Sequence, residues 1–375
     1  MSQGASPLVP PRDKRGTRTG FTTGACAAAA AKAAARVLVR GGALTEVETT
    51  LPNRDRVTFA LHRCETDGER AVCSVIKDAG DDPDCTHGAE LVAEVRLTGD
   101  GEVTLAGGQG VGVVTKEGLG LEVGGPAINP VPRRNIIDMV REELPEGRGA
   151  QVTIHVPRGE EMAKETLNAR LGILGGISIL GTSGIVRPYS TAAYKASVVQ
   201  AIDVARHRGN VDLVLTTGGK SEKYAMEMMP HLPEEAFIQV GDFIGVGVKH
   251  GARVKAERIH VVGMMGKLSK MADGKLQTHA AGSDVNMALL AQLARESGAS
   301  DELVREVEGA NTARHVLELC AARGLTDITT RVCRRVVEHL SKHAGPGPQV
   351  RAYLVDFNGT LLGQHPAPPR QEEAA

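Results

Sequence analysis

The chain has 375 residues, 41% of them apolar, and its 44 Lys and Arg against 45 Asp and Glu leave a formal net charge of −1. A length beyond the roughly 250–300 residues that one core serves predicts two domains, and near-neutrality excludes the basic face of a general nucleic-acid or membrane-surface binder. With 2% aromatic residues and no Trp, stacking platforms for single strands are excluded as well.

The cysteines, Cys26, Cys64, Cys73, Cys85, Cys320 and Cys333, form no C-x-x-C pair. Without an apolar leader they predict reduced thiols in a cytoplasmic protein. Residues 1–15 are polar and proline-bearing and predict a disordered lead, and no run of 18 apolar residues occurs, so no membrane span is expected. Next comes TRTGFTTGACAAAAAKAAARVLVRGG. Thr22 or Thr23 caps an alanine run of the highest helix propensity. With Gly24 in its first turn and Arg15 and Arg18 ahead, this helix start reads either as an anion site or as the capped end of a packing helix.

From Glu46 to Ala106 the apolar period shortens, and Val47–Leu51, Val57–His62, Ala71–Ile76, Leu91–Leu97 and Val103–Leu105 predict short strands. Between the third and fourth lies KDAGDDPDCTHG, residues 77–88, carrying Asp78, Asp81, Asp82, Asp84 and His87. Such side chains suit a hard metal, acid or base chemistry, or a solvated acidic turn, and their spacing is not that of an EF-hand. Residues 107–136 are glycine-rich and proline-punctuated. Their cations Lys116, Arg133 and Arg134, stiffened by Pro130 and Pro132, suit carboxylates or phosphates. The alternative is an interdomain linker docking at a helix from Ile136 to Leu144.

A second domain is expected from Gln151, where Val152–Val156, Ile177–Leu180, Val211–Leu215, Ala236–Val240 and Ile259–Val262 alternate with helical stretches. That alternation predicts a mostly parallel sheet covered on both faces. The organising stretch is LGILGGISILGTSGIVRPYS, residues 171–190. Its strand opens into Gly181, Thr182, Ser183 and Gly184, and Ser190 then caps a helix running to Arg208. The strand at Val211 ends likewise in Thr216, Thr217, Gly218 and Gly219. Two such loops at neighbouring strand ends predict a small-molecule site, although no complete dinucleotide fingerprint is present. After Ile259, Lys267 and Lys270 would share a helix face, either to bind carboxylates or simply to be solvated. Near the end, YLVDFNGTLLG resembles the first motif of haloacid-dehalogenase phosphatases, but Asn358 stands where the second acid belongs; it reads as a final strand and turn.

In order, TGFTTGACAAAAAKAA, KDAGDDPDCTHG, GVGVVTKEGLGL with PAINPVPRRNI, LGTSGIVRPYS, TTGG and GKLSKMADGKLQTH resemble the CbiD family, the cobalt-precorrin-5B C(1)-methyltransferases of anaerobic cobalamin biosynthesis. The resemblance spans residues 15–363. It implies S-adenosylmethionine as methyl donor, a tetrapyrrole acceptor carrying its own cobalt and no protein metal site. It also implies an α+β N-terminal domain (16–150) like ribosomal S5 domain 2 and an α/β Rossmann-like domain (151–363); residues 364–375 are expected to form a disordered tail. On this reading Gly181–Gly184 and Thr216–Gly219 hold the donor, and Lys116, Arg133, Arg134, Lys267 and Lys270 meet the acceptor's carboxylates. Asp81 and His87 are the candidates for orienting the macrocycle or handling a proton. The expected partner is a small molecule, with no nucleic acid or membrane, and a homo-oligomer is compatible with it. A noncatalytic corrinoid carrier and a nucleotide-dependent kinase are the rival readings.

Overall fold

The computed structural model describes residues 17–279 and 283–367, so the expected lead (1–15) and most of the expected tail lie outside the described residues. The chain forms two compact units, divided after Thr191. The sequence reading placed the division near residue 150. The difference arises because Gly149–His155, expected to open the second sheet, pairs antiparallel with Glu90–Thr98 and parallel with Val103–Gly107.

In the first unit the sheet runs Arg63–Thr66, Arg70–Ile76, Glu90–Thr98, Gly149–His155, Val103–Gly107. Helix Thr23–Arg40 packs on this sheet and on helix Pro130–Arg141. Ala27–Ala31 and Ala33–Ala35 are fully buried, and only side chains this small let a helix backbone lie so close to its neighbours over a long contact. Polar residues pin the helix pair: Lys32 Nζ donates to Glu142 Oε2 at 2.6 Å, and Arg36 and Arg40 both reach Glu143. Helix Pro130–Arg141 begins six residues earlier than expected, with Pro in its first turn, where a missing N–H costs nothing.

The glycine-rich stretch 171–190 belongs to this first unit, not to the parallel sheet. Gly176–Ile177 pairs with Gly110–Val111, and Ile179 bridges Ile128. Gly172, Gly175, Gly181 and Gly184 all take positive φ, so the β-branched run is broken into two-residue ladders too short to cross a sheet.

In the second unit four strands are parallel and the fifth is antiparallel. Numbered along the chain as Asp212–Thr216, Phe237–Gln239, Arg258–Gly263, Gln349–Val355 and Leu361–His365, they lie in the spatial order second, first, third, fourth, fifth. Alternate residues feed two cores. Leu213, Leu215, Ile259, Val261, Ala352 and Leu354 enter the larger one, beneath helices that include Ile244–Arg253 and Asp327–Ala344. Val214, Val262 and Val355 enter a smaller one beside helix Gly219–Met228. Helices therefore cover both faces, and the first and third strands flank the point where the strand order reverses. Among the described residues no helix is long and apolar enough to cross a membrane.

Candidate functional site

A cavity of 1340 Å³ opens at the carboxyl ends of the second unit's parallel strands, lined by Thr217–Ser221, Asp242, Met264–Lys267 and Asp356–Asn358 among others. Each segment directly follows one of the four parallel strands. A ligand in a doubly wound sheet meets its protein at such a crevice, where strand order reverses.

The first strand delivers Thr216, which is fully buried, and then Thr217, whose Oγ1 lies 3.3 Å from Ser221 Oγ. Helix Gly219–Met228 follows with no side-chain cap, and its first ladder bond runs from Glu222 N–H to Gly218 O. The amides of Gly219, Lys220 and Ser221 thus precede the ladder and have no acceptor within the helix. A Cβ built on Gly218, Gly219 or Gly266 would meet nothing within 4 Å. These glycines border open space.

Lys267 braces the crevice. Its Nζ donates to Thr217 O at 2.8 Å and lies 3.1 Å from Asp242 Oδ1, which also accepts from Thr278 Oγ1. Lys270 is buried and donates to Thr278 O. Both lysines expected on one helix face thus reach this cavity, and both already have intramolecular partners. At the far strand end Asp356 Oδ1 accepts from the amides of Asn358 and Thr360. Desolvation pushes Asp356 up, but these amides outweigh it and hold the carboxyl below the usual range.

The other expected donor loop is built differently. Thr22 Oγ1 caps helix Thr23–Arg40 by accepting from Ala25 N–H, Thr22 N–H donates to Gly184 O, and Gly24 N–H donates to Leu180 O at 3.1 Å. A Cβ on Gly181 would lie 2.3 Å from Thr22 Oγ1, and one on Gly24 would lie 2.8 Å from Pro132. The protein itself occupies the space these glycines leave. Of the two readings of this helix start, the geometry is that of a capped packing helix. Thr182 is exposed, and among the described residues Ser183 Oγ bonds only Ile185 of its own loop.

The acidic stretch 77–88 is a partly exposed turn, as one of its readings expected, and its carboxylates also clasp neighbouring segments. Asp78 pairs with Arg18, and Asp81 Oδ2 accepts from Arg18 N–H at 2.7 Å. Asp82 accepts from Tyr189 N–H. Lys77, 1% exposed, donates to Asp84 Oδ2 at 2.7 Å. Burial pushes Asp84 up, but Lys77 and the two bonds from Thr86 outweigh it and hold the carboxyl below the ordinary range. His87 Nδ1 accepts from Ala79 N–H at 3.1 Å, a contact that suits the tautomer carrying its proton on Nε2. Among the described residues no cluster of three or more His, Cys, Asp or Glu is arranged to hold a metal ion. Lys116 Nζ reaches Arg170 O, while Arg133 and the exposed Arg134 lie on the first two turns of helix Pro130–Arg141.

Sequence reasoning missed Asp242, Asn311–Arg314 and Phe357, all at the cavity. A signal existed for Asp242: it follows the second strand, about the place where a doubly wound sheet puts an acid for ribose hydroxyls.

Two family profiles match the chain: CbiD over residues 10–188 and the C-terminal domain of CbiD over residues 277–366. A Leptospira interrogans protein named cobalt-precorrin-5B C(1)-methyltransferase is 58% identical over 349 residues, covering 92% of this chain and 95% of that protein. A Thermus thermophilus protein of the same name is 53% identical over 361 residues, covering 96% and 97%. A crystal structure of a cobalamin biosynthesis protein, CbiD, from Archaeoglobus fulgidus matches at 28% identity and a TM-score of 0.37, covering 67% of this chain and 78% of that one.

Proposed function

The chain belongs to the CbiD family, and from that premise we propose that the cavity at the strand ends of the second unit is where the methyl group is transferred. The protein is a methyltransferase of cobalamin biosynthesis that methylates carbon 1 of cobalt-precorrin-5B. We read the first unit as S5-like and the second as Rossmann-like in the broad sense of a doubly wound α/β sheet, its strand order being the flavodoxin-like one.

S-adenosylmethionine is the proposed donor, and when bound it supplies an electrophilic methyl on a sulfonium. The residues fit its polar groups. The three leading amides of helix Gly219–Met228 would hold a carboxylate, since unpaired N–H groups and the helix dipole favour an anion there. Both bonds to Asp242 go to Oδ1, which leaves Oδ2 as an acceptor for ribose hydroxyls. Lys267 would keep Thr217 and Asp242 at fixed separation. The open faces of Gly218, Gly219 and Gly266 would admit the donor against the main chain.

Holding the two reactants in line can remove roughly 7–11 kcal/mol of barrier without a covalent intermediate, so positioning is the main task of these residues. His87, whose Nδ1 accepts from Ala79 N–H, would present Nε2–H as a hydrogen-bond donor, and Asp81 serves the clasp.

The single observation that carries this reading is the uncapped helix start bordering open glycines at the reversal of strand order. Its test is anaerobic incubation of cobalt-precorrin-5B with the protein and methyl-labelled S-adenosylmethionine, followed by mass spectrometry. One labelled methyl on the macrocycle is expected from the native protein, and none from Gly219→Glu. Acceptor binding without transfer in the native protein would favour a corrinoid carrier.

A further inference from the structure

The motif that sequence reasoning set aside, DFNGT, brings its first three residues, Asp356, Phe357 and Asn358, into the lining of this same cavity. Four of the five phenylalanines, Phe21, Phe59, Phe237 and Phe243, are buried, whereas Phe357 is 50% exposed. An aromatic ring so exposed forgoes the burial that normally stabilises it.

Its backbone is nevertheless held firmly. Tyr224 Oη donates to Phe357 O at 2.7 Å, and Asp356 Oδ1 gathers the amides of Asn358 and Thr360 at 2.8 Å each. Gly359 takes φ +92°, and a Cβ there would lie 2.5 Å from Tyr224. The turn is built to present this side chain.

Two cations converge on the ring, Lys220 Nζ at 5.8 Å and Arg314 Cζ at 5.1 Å from its centroid. Both side chains are exposed, and Arg314 Nε bonds Glu318 on its own helix. The ion pair with Glu318 is made through Nε, so the Nη groups of Arg314 and Nζ of Lys220 are placed to donate to bound carboxylates beside the ring. Leu317, Ala321 and Leu325 supply an apolar wall to the same cavity.

We propose that Phe357, Lys220 and Arg314 form the contact surface for the acceptor macrocycle: its apolar rim packs on the free part of the ring, and its peripheral carboxylates pair with the two cations. This rests on the reading that the cavity is the transfer site. It assigns the acceptor to residues beside the strand end that also carries the proposed donor amides.

The test titrates the full chain separately with uroporphyrin, an octacarboxylate tetrapyrrole, and with S-adenosylhomocysteine. Phe357→Ala is expected to weaken porphyrin binding about ten-fold, and the Lys220→Ala/Arg314→Ala double variant to weaken it similarly and to flatten its salt dependence. S-adenosylhomocysteine affinity should stay within about two-fold in Phe357→Ala. Phe357→Leu preserves the main-chain bonds of the turn and an apolar contact, so its smaller loss separates ring contact from misfolding, with thermal melts as the control. Porphyrin affinity unchanged in these variants, or no porphyrin binding by the native chain, would overturn the proposal. Loss of porphyrin binding in Phe357→Ala, in a protein that never binds S-adenosylhomocysteine, would support this surface and reject the donor reading alone.

Discussion

Two loops of nearly the same composition end in opposite states. Leu180–Gly184 and Thr216–Gly219 both bring small hydroxyl residues and glycines to a helix start. In the first unit every opening is closed: Thr22 caps the helix, Gly24 N–H is taken by Leu180 O, and Thr22 fills the space in front of Gly181. In the second unit the helix is uncapped and Gly218 and Gly219 face open space. A glycine-rich loop thus records only that something approaches the backbone. Whether that is the protein itself or a ligand depends on what the rest of the fold has already placed there.

The comparison can be broken most forcefully at Gly181. There Gly181→Val adds side-chain atoms against Thr22 at φ +131°, and strain plus overpacking should cost about 3–5 kcal/mol in denaturant melts. Donor affinity of the molecules that remain folded should not change. Normal stability with lost donor binding would move the site to the first unit.

Within the same unit, Asp84→Asn leaves Lys77 buried without its counter-charge and should cost about 3 kcal/mol. The pH dependence has a definite sign. Asp84 is held below its ordinary value, so its contribution is fully present above about pH 4 and is lost as pH falls through the folded-state value. Melting temperature followed from pH 7 to 3 should therefore fall less steeply at the acid end in Asp84→Asn than in the native protein.

In the second unit Gly219→Glu sharpens the contrast, because the new carboxylate suits a helix start yet occupies the space assigned to the donor's own. Calorimetry should find S-adenosylhomocysteine binding weakened about 100-fold with no fall in melting temperature. Lys267→Met removes the brace between Thr217 and Asp242, and donor affinity should drop about ten-fold. Thr182→Ala is the smallest change, with stability moving by less than about 0.5 kcal/mol and donor affinity untouched.

Much of the fold was legible because apolar periodicity survives in single elements. The expected strands Ala71–Ile76 and Leu91–Leu97 fall within the observed Arg70–Ile76 and Glu90–Thr98. The edge strand Arg63–Thr66 was missed because RCET has no buried face to write an alternation. Strand Gly149–His155 was recognised as a strand but assigned to the wrong sheet, since pairing partners some fifty residues away leave no local mark on its sequence.

The site was half legible. Thr217–Gly219, Lys267 and Lys270 do come together at one cavity, as strand ends of one sheet would bring them, while Thr216 is buried behind it. Asp242 and Phe357 were passed over because each is a single loop residue, and only the strand order makes them neighbours. The acidic clasp misled in the other direction: its carboxylates serve Arg18, Tyr189 and Lys77, partners invisible until the chain is folded.

The most direct test of the central claim is a crystal structure of the protein with S-adenosylhomocysteine. The account predicts the ligand in the second unit's cavity, with its carboxylate on the amides of Gly219–Ser221 and its ribose at Asp242. Ligand density beside Thr22–Gly24 and Leu180–Gly184 instead would contradict it.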